Sequence, residues 1–173
     1  MVEGSSGGRA WVFGDDIDTD ALAPGLYMKG SVDELAKHCL ESVDPAFAPG
    51  VVDGDVVVGG RNFGLGSSRE QAAQALKMLG VAAVVAKSFG GIFYRNALNL
   101  GLVAVVCPAI GGVKAGDILS VDARAGCIEN HTQNDRYDCE PLPDHLMSMI
   151  ENGGLIAHLE LRLAAKRKTE GAI

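Results

Sequence analysis

Aromatic side chains are scarce in this 173-residue sequence, at 5% of the total, and proline occurs only six times. The first shortage sets aside an aromatic-lined ligand pocket. The second, with 47% of residues apolar, sets aside a disordered low-complexity chain. Cysteine is sparse as well. Cys39, Cys107, Cys127 and Cys139 are widely spaced, with no C-x-x-C pair, so a local zinc or redox motif and the ligand run of an iron–sulfur cluster are missing. They read as free, mostly buried thiols of a cytoplasmic protein. His38, His131, His145 and His158 have no metal-ligand spacing either, so a metal used by this protein is expected on another chain. Basic charge is short too: 15 Lys and Arg against 22 Asp and Glu leave a formal charge of −7, which argues against binding nucleic acid. No apolar run approaches the ~18 residues of a membrane span, and the opening MVEGSSGG lacks the basic start and apolar stretch of a secretory signal. The expected place is the cytoplasm, away from membranes.

Glycine is plentiful, at 23 residues, which suits tight turns and backbone packed closely on backbone or ligand. The length fits one domain with a real core. Residues 1–9, rich in Gly and Ser, read as a disordered tail with strand character beginning at its end in Arg9-Ala-Trp-Val-Phe13, and 10–173 as a single domain. Ser31 reads as the N-cap of an amphipathic helix over 32–40, with Glu34 completing a capping box and Asp44-Pro45 ending it. From 55 to 106 the pattern alternates. Strand-like Asp55–Gly59, a helix over 70–80 closed by Gly80, strand Val81–Ala86, a helix capped by Ser88 and running to about Asn99, and strand Leu102–Val106 predict right-handed crossovers and a parallel sheet. After Pro108 short antiparallel strands are expected at 118–121, 126–129 and on to Cys139. Two helices follow, over 144–151 and 155–168, the last ending in a solvated basic cluster of Arg162, Lys166, Arg167 and Lys168.

Chemistry concentrates in Asn62-Phe-Gly-Leu-Gly-Ser-Ser-Arg-Glu70, between a strand and a helix. Two glycines allow close backbone approach, the helix start offers unpaired N–H groups, and Ser67, Ser68 and the Arg69 fork complete an anion site. The spacing is neither a P-loop nor a dinucleotide fingerprint. A plainer reading stays open, in which a serine caps the helix and Arg69 faces water. Asp15, Asp16, Asp18 and Asp20 crowd one loop and read as turn formers, a metal site being the alternative. Lys29, in Tyr27-Met-Lys-Gly30, either reaches substrate or faces water.

Asp16-Ile-Asp-Thr-Asp-Ala-Leu-Ala-Pro24, Asn62–Glu70, Lys87-Ser-Phe and Ile92-Phe-Tyr-Arg-Asn96, in that order over about residues 10–158, resemble the small subunit of 3-isopropylmalate dehydratase, a family similar to the swivelling fourth domain of aconitase. The resemblance implies an α/β fold, a swivelling three-layer β/β/α domain like aconitase domain 4. It also implies a hydro-lyase active only beside a large subunit, which holds a [4Fe–4S] cluster, with no metal bound by this chain. The implied substrate is a small hydroxy diacid, isopropylmalate, whose 2- and 3-isomers interconvert by dehydration and rehydration in leucine biosynthesis. By the same resemblance Ser67 is the base, Ser68 and Arg69 hold substrate carboxylate, Asp20 and Thr19 lie near the reacting centre, and Lys29 senses the substrate side chain. Two departures bear on substrate choice: Gln71 stands where the family has His, and Ser88-Phe-Gly-Gly-Ile-Phe93 lacks an Arg. A homoaconitase or dimethylmalate dehydratase type, or a non-catalytic anion-binding domain, are the other readings.

Overall fold

The computed structural model describes residues 7–170; the expected tail falls outside the described residues over 1–6, while its last two positions already belong to the sheet. Strand β1 is Gly8–Val12, followed by short helices α1 (Thr19–Leu22), α2 (Val32–Ala36) and α3 (Phe47–Gly50). The alternating section follows as β2 (Val56–Gly59), α4 (Gln71–Met78), β3 (Ala83–Ala86), α5 (Gly91–Asn99) and β4 (Val103–Val106). The chain closes with β5 (Ile118–Asp122), β6 (Cys127–Asn130), β7 (Asp135–Asp138), α6 (Asp144–Glu151) and α7 (Leu155–Glu170).

Among the described residues the strand order is β4-β3-β2-β1-β5-β6-β7, parallel from β4 to β1 and antiparallel from β5 to β7. The reason lies in side-chain alternation. Val57 and Val84 face the helices in one core, while Val56, Val58, Ala83 and Val85 face the other way and meet Leu119 and Ile128 of the antiparallel strands in a second. Parallel strands covered on both faces need apolar residues at every position, and β2 and β3 supply them. Antiparallel strands, parallel sheet and helices therefore stack as the expected β/β/α layers.

One carboxylate pins the edge where these layers meet. Asp55, buried just before β2, accepts from the Arg9 N–H at 3.2 Å, Trp11 Nε1 at 2.9 Å, the Val52 N–H at 3.1 Å and Arg9 Nη2 at 3.2 Å. Burial pushes its pKa up, but the bonds from Trp11, Val52 and Arg9 outweigh that and hold it below the usual 3.8.

Local expectations met different fates. Ser31 caps α2 by accepting from the Glu34 N–H at 3.2 Å, but the Glu34 carboxylate turns to Lys37 at 2.9 Å and His38 at 3.6 Å, so half the capping box forms. That helix ends at Ala36 instead of Leu40, because Leu40 takes φ 60° and gives its N–H to the Ala21 carbonyl at 2.8 Å, burying its side chain. Ser88 does not cap α5; Gly90 occupies that position, and the Ser88 hydroxyl accepts from the Asn62 N–H at 2.9 Å. Gly80 does close α4, with φ 82° and its N–H on the Lys77 carbonyl at 3.0 Å. In α7, Arg162, Lys166, Arg167 and Lys168 are all exposed. No helix among the described residues is long and apolar enough to cross a membrane.

Candidate active site

The loops after β1, β2 and β3 emerge at the same end of the parallel sheet and continue its order. Beyond the strands, Asp18 pairs with Leu65 and Phe63 with Phe89 as isolated parallel bridges. The Gly64 N–H donates to the Ile17 carbonyl at 2.6 Å and the Thr19 N–H to the Leu65 carbonyl at 2.8 Å. Asp18 then starts α1, its carboxylate accepting from the Ala21 N–H at 2.7 Å.

This zipper delivers Thr19, 2% exposed, to Ser67. Their hydroxyl oxygens are 3.0 Å apart, and Thr19 Oγ1 also accepts from the Ser67 N–H at 3.0 Å. Two glycines make the approach possible. At Gly64, with φ 77°, a Cβ would stand 2.2 Å from the Phe93 ring; at Gly66, with φ 116°, it would stand 3.0 Å from Thr19 Oγ1. Ser67 and Ser68 are both exposed, and neither caps α4, whose N-cap is Glu70 with no side-chain bond. The helix-cap reading therefore falls, and Ser67 is held by Thr19, not by the helix start.

Arg69 is not free in water either. Its Nη1 donates to Asp20 Oδ1 at 2.6 Å and to the Ala23 carbonyl at 3.1 Å. Asp20 also accepts from the Gly25 N–H at 3.3 Å, and the Arg69 bond first, the Gly25 bond second, hold its carboxyl below the usual 3.8. With Nη1 engaged, Nε and Nη2 have no partner among the described residues and remain available as donors. Thr19, Asp20, Ser67 and Arg69 are thus a group of two hydrogen-bonded pairs, Thr19–Ser67 and Asp20–Arg69, on adjoining residues of α1. Ser68 sits next to it without a bond to it. Lys29 is exposed, and no hydrogen bond or ion pair joins it to the group.

The other acidic residues behave as turn formers. Asp15 accepts from the Arg61 N–H at 2.7 Å and pairs with its guanidinium at 3.2 Å; Asp16, at φ 58°, accepts from Asn62 Nδ2 at 2.8 Å. Among the described residues no three His, Cys, Asp or Glu side chains gather as a metal site. Cys39 and Cys107 are buried, and burial pushes the thiols of Cys39, Cys107 and Cys139 up, Cys139 to about 12, away from the thiolate that cluster iron needs. The described residues bring no set of cysteines together that would hold an iron–sulfur cluster.

The sequence departures are also explained locally. At Gly91, the first residue of α5, a Cβ would meet nothing within 4 Å, so a missing long side chain leaves no hole. Gly90 does have a packing role: a Cβ would lie 2.8 Å from the Gly64 carbonyl, directly behind the Ser67 loop. Gln71 begins α4 with its side chain unbonded among the described residues. One contact went unforeseen: Tyr27 stacks on His38 with centroids 3.5 Å apart and planes 5° apart, while His38 Nδ1 lies 2.6 Å from Glu41. The i, i+3 spacing of His38 and Glu41 was a readable signal; the stack with Tyr27 was not.

Residues 51–109 match the aconitase C-terminal domain family. A 3-isopropylmalate dehydratase small subunit from Methanopyrus kandleri is 51% identical over 86% of this chain and 89% of its own length. A methanogen homoaconitase small subunit from Methanothermobacter thermautotrophicus is 48% identical over 91% of this chain and 92% of its own. The crystal structure of a 3-isopropylmalate dehydratase chain from Methanocaldococcus jannaschii superposes with a TM-score of 0.90 at 42% identity, covering 95% of this chain and 98% of that one. Similarity at this level and over this length settles descent: the chain belongs to the family of 3-isopropylmalate dehydratase small subunits.

Proposed function

We propose that this chain is the small subunit of a hydro-lyase that interconverts 2- and 3-isopropylmalate by dehydration and rehydration, a step of leucine biosynthesis, and that it acts in the cytoplasm against a large subunit. The observation that carries the reading is the Thr19–Ser67 pair beside the Asp20-anchored Arg69.

Dehydration removes a proton from a carbon next to a carboxylate and expels hydroxide from the neighbouring carbon. In this proposal Ser67 Oγ, as alkoxide, takes the proton and returns it on rehydration. A serine oxyanion needs donors aimed at it. Thr19 Oγ1 accepts from the Ser67 N–H, which leaves the threonine's own proton free to point at Ser67 Oγ at 3.0 Å. The free Nε and Nη2 of Arg69 suit a substrate carboxylate, with Ser68 as an added hydroxyl donor. Asp20 orients Arg69 and keeps it from swinging into solvent. The Lewis acid that loss of hydroxide requires belongs to a [4Fe–4S] cluster on the large subunit. Lys29, exposed near the end of the segment that starts at Gly25, selects among malate side chains. A homoaconitase reading stands second, supported by the 48% identical methanogen relative.

The test is anaerobic co-purification of the tagged chain with its large subunit, followed by turnover of both isopropylmalate isomers and of homoaconitate. Interconversion of the isopropylmalates that drops at least about 100-fold in Ser67→Ala is the expected result. Activity on homoaconitate alone moves the assignment to the second reading, and activity of this chain by itself rejects both.

A further inference from the structure

On the sheet face away from the helices, a cavity of about 180 Å³ opens over the carboxyl ends of β1, β2 and β3. None of Thr19, Asp20, Ser67 or Arg69 lines it. Crevices at the carboxyl ends of parallel strands are where open α/β sheets bind ligands. This one is smaller than the ~300–1,000 Å³ of drug-sized sites, so it admits only a small molecule.

Its lining has two characters. Val12, Val58, Ile110 and Val113 make the apolar part of the lining, and Lys87 joins it, half-buried, with a side chain that forms no hydrogen bond with the described residues. Asp15, at the rim, is already taken by Arg61 at 3.2 Å, and Asp16 by Asn62 Nδ2 at 2.8 Å, so neither carboxylate satisfies the lysine. Lys87 does help to hold the Asp15 carboxyl down, after the Arg61 bonds, so its charge is felt at the rim. The turn over the cavity adds donors: the N–H groups of Gly111 and Val113 have no acceptor among the described residues, although the turn is held by Gln133 Nε2 on the Gly112 carbonyl at 3.0 Å. An unpaired ammonium, spare amide donors and an aliphatic wall in one small cavity describe a single kind of guest.

We infer that this cavity binds a small aliphatic carboxylate, its charged end on Lys87 and its alkyl end against Val12, Val58 and Ile110. The floor, Gly59-Gly60, runs directly into the Ser67 loop, and the Lys87 N–H holds the Gly60 carbonyl at 3.0 Å. A guest here therefore braces the root of that loop without touching the serine.

The inference is tested on the full chain alone, independently of hydro-lyase activity, by NMR titration with 4-methylpentanoate. Saturable shifts at Val12, Val58, Lys87 and Gly111, with a dissociation constant on the order of 1 mM or tighter, are expected, and none at Ser67 or Arg69. Lys87→Met should weaken binding about tenfold or more, Lys87→Arg should retain it, and the uncharged 4-methylpentanamide should bind at least about tenfold more weakly than the acid. Both variants leave the backbone bond of residue 87 intact, and an unchanged aromatic cluster of Phe63, Phe89 and Phe93 in the spectra verifies folding. Absence of saturable shifts, equal binding by Lys87→Met, or shifts confined to Ser67–Arg69 overturns the inference.

Discussion

Replacing Thr19 by Val separates what the threonine does for Ser67 from what it does for the fold. The swap keeps the branched shape and deletes the hydroxyl that accepts from the Ser67 N–H and lies 3.0 Å from its Oγ. On the stability side the loss is small. Ser67 is exposed, so water can take over its N–H, and a typical net hydrogen bond contributes only about 1 kcal/mol. A domain stable by ~5–15 kcal/mol stays folded after that loss. On the catalytic side the loss is large, because deleting one donor to a developing oxyanion costs about 10²–10³ in kcat, roughly 3–4 kcal/mol. The assay pairs urea denaturation of the isolated chain with turnover of isopropylmalate by the assembly reconstituted with its large subunit. A drop in kcat of at least about 100-fold with a stability change near 1 kcal/mol is expected, with Thr19→Ser recovering most of the rate. If kcat stays within about twofold of the parent while Ser67→Ala abolishes turnover, Thr19 is only a strut and the account of how the serine anion is stabilised is wrong.

Further outcomes follow from other contacts. Asp20 titrates below 3.8 in the folded chain, so the Arg69 pair is complete above the ordinary carboxylate range and is lost as pH falls through the depressed value; carboxyl-carbon NMR should show that midpoint moving up in Arg69→Gln. Gly64→Ala, with φ 77° and a new Cβ 2.2 Å from Phe93, should cost about 2–4 kcal/mol in urea denaturation, and a loss under about 1 kcal/mol would contradict the packing described. Asp55→Ala strips acceptors from Arg9, Trp11 and Val52 together and should destabilise by about 3 kcal/mol, read as a lowered denaturation midpoint with unchanged slope. His38→Phe, which keeps a ring under Tyr27, should preserve the KM of the assembled enzyme, while His38→Ala should raise it; equal effects would show that the stack plays no part in substrate binding.

The layered architecture was readable because burial on both faces leaves a mark in composition: Val56-Val-Val58 and Ala83-Val-Val-Ala86 have no polar residue to spare, and the helix between them carries a clear stripe. What escaped were decisions made by distant parts of the chain. Leu40 ends its helical stretch early because Ala21 offers a carbonyl, and Ser88 leaves its own helix uncapped because Asn62 offers an N–H. The Ser67 loop, Asp20 and Arg69 were each singled out, but the Asp20–Arg69 ion pair spans 49 positions and the Thr19–Ser67 bond 48. Local pattern contains no term for such pairs. Family likeness placed Thr19 near the reacting centre, whereas the geometry bonds it to the Ser67 hydroxyl and N–H.

The isolated bridges Asp18–Leu65 and Phe63–Phe89 have a mechanical consequence. They carry the sheet's order past the strand ends, so Ser67 rides on a stiff outgrowth of the parallel sheet and not on a pliable lid. In the proposed function, access for a substrate then comes from displacement of the whole small subunit relative to its large companion, with Ser67, Thr19 and Arg69 moving together. Amide exchange at Thr19 and Gly64 as slow as in β2, both before and after substrate is added, is the signature of that rigid stroke.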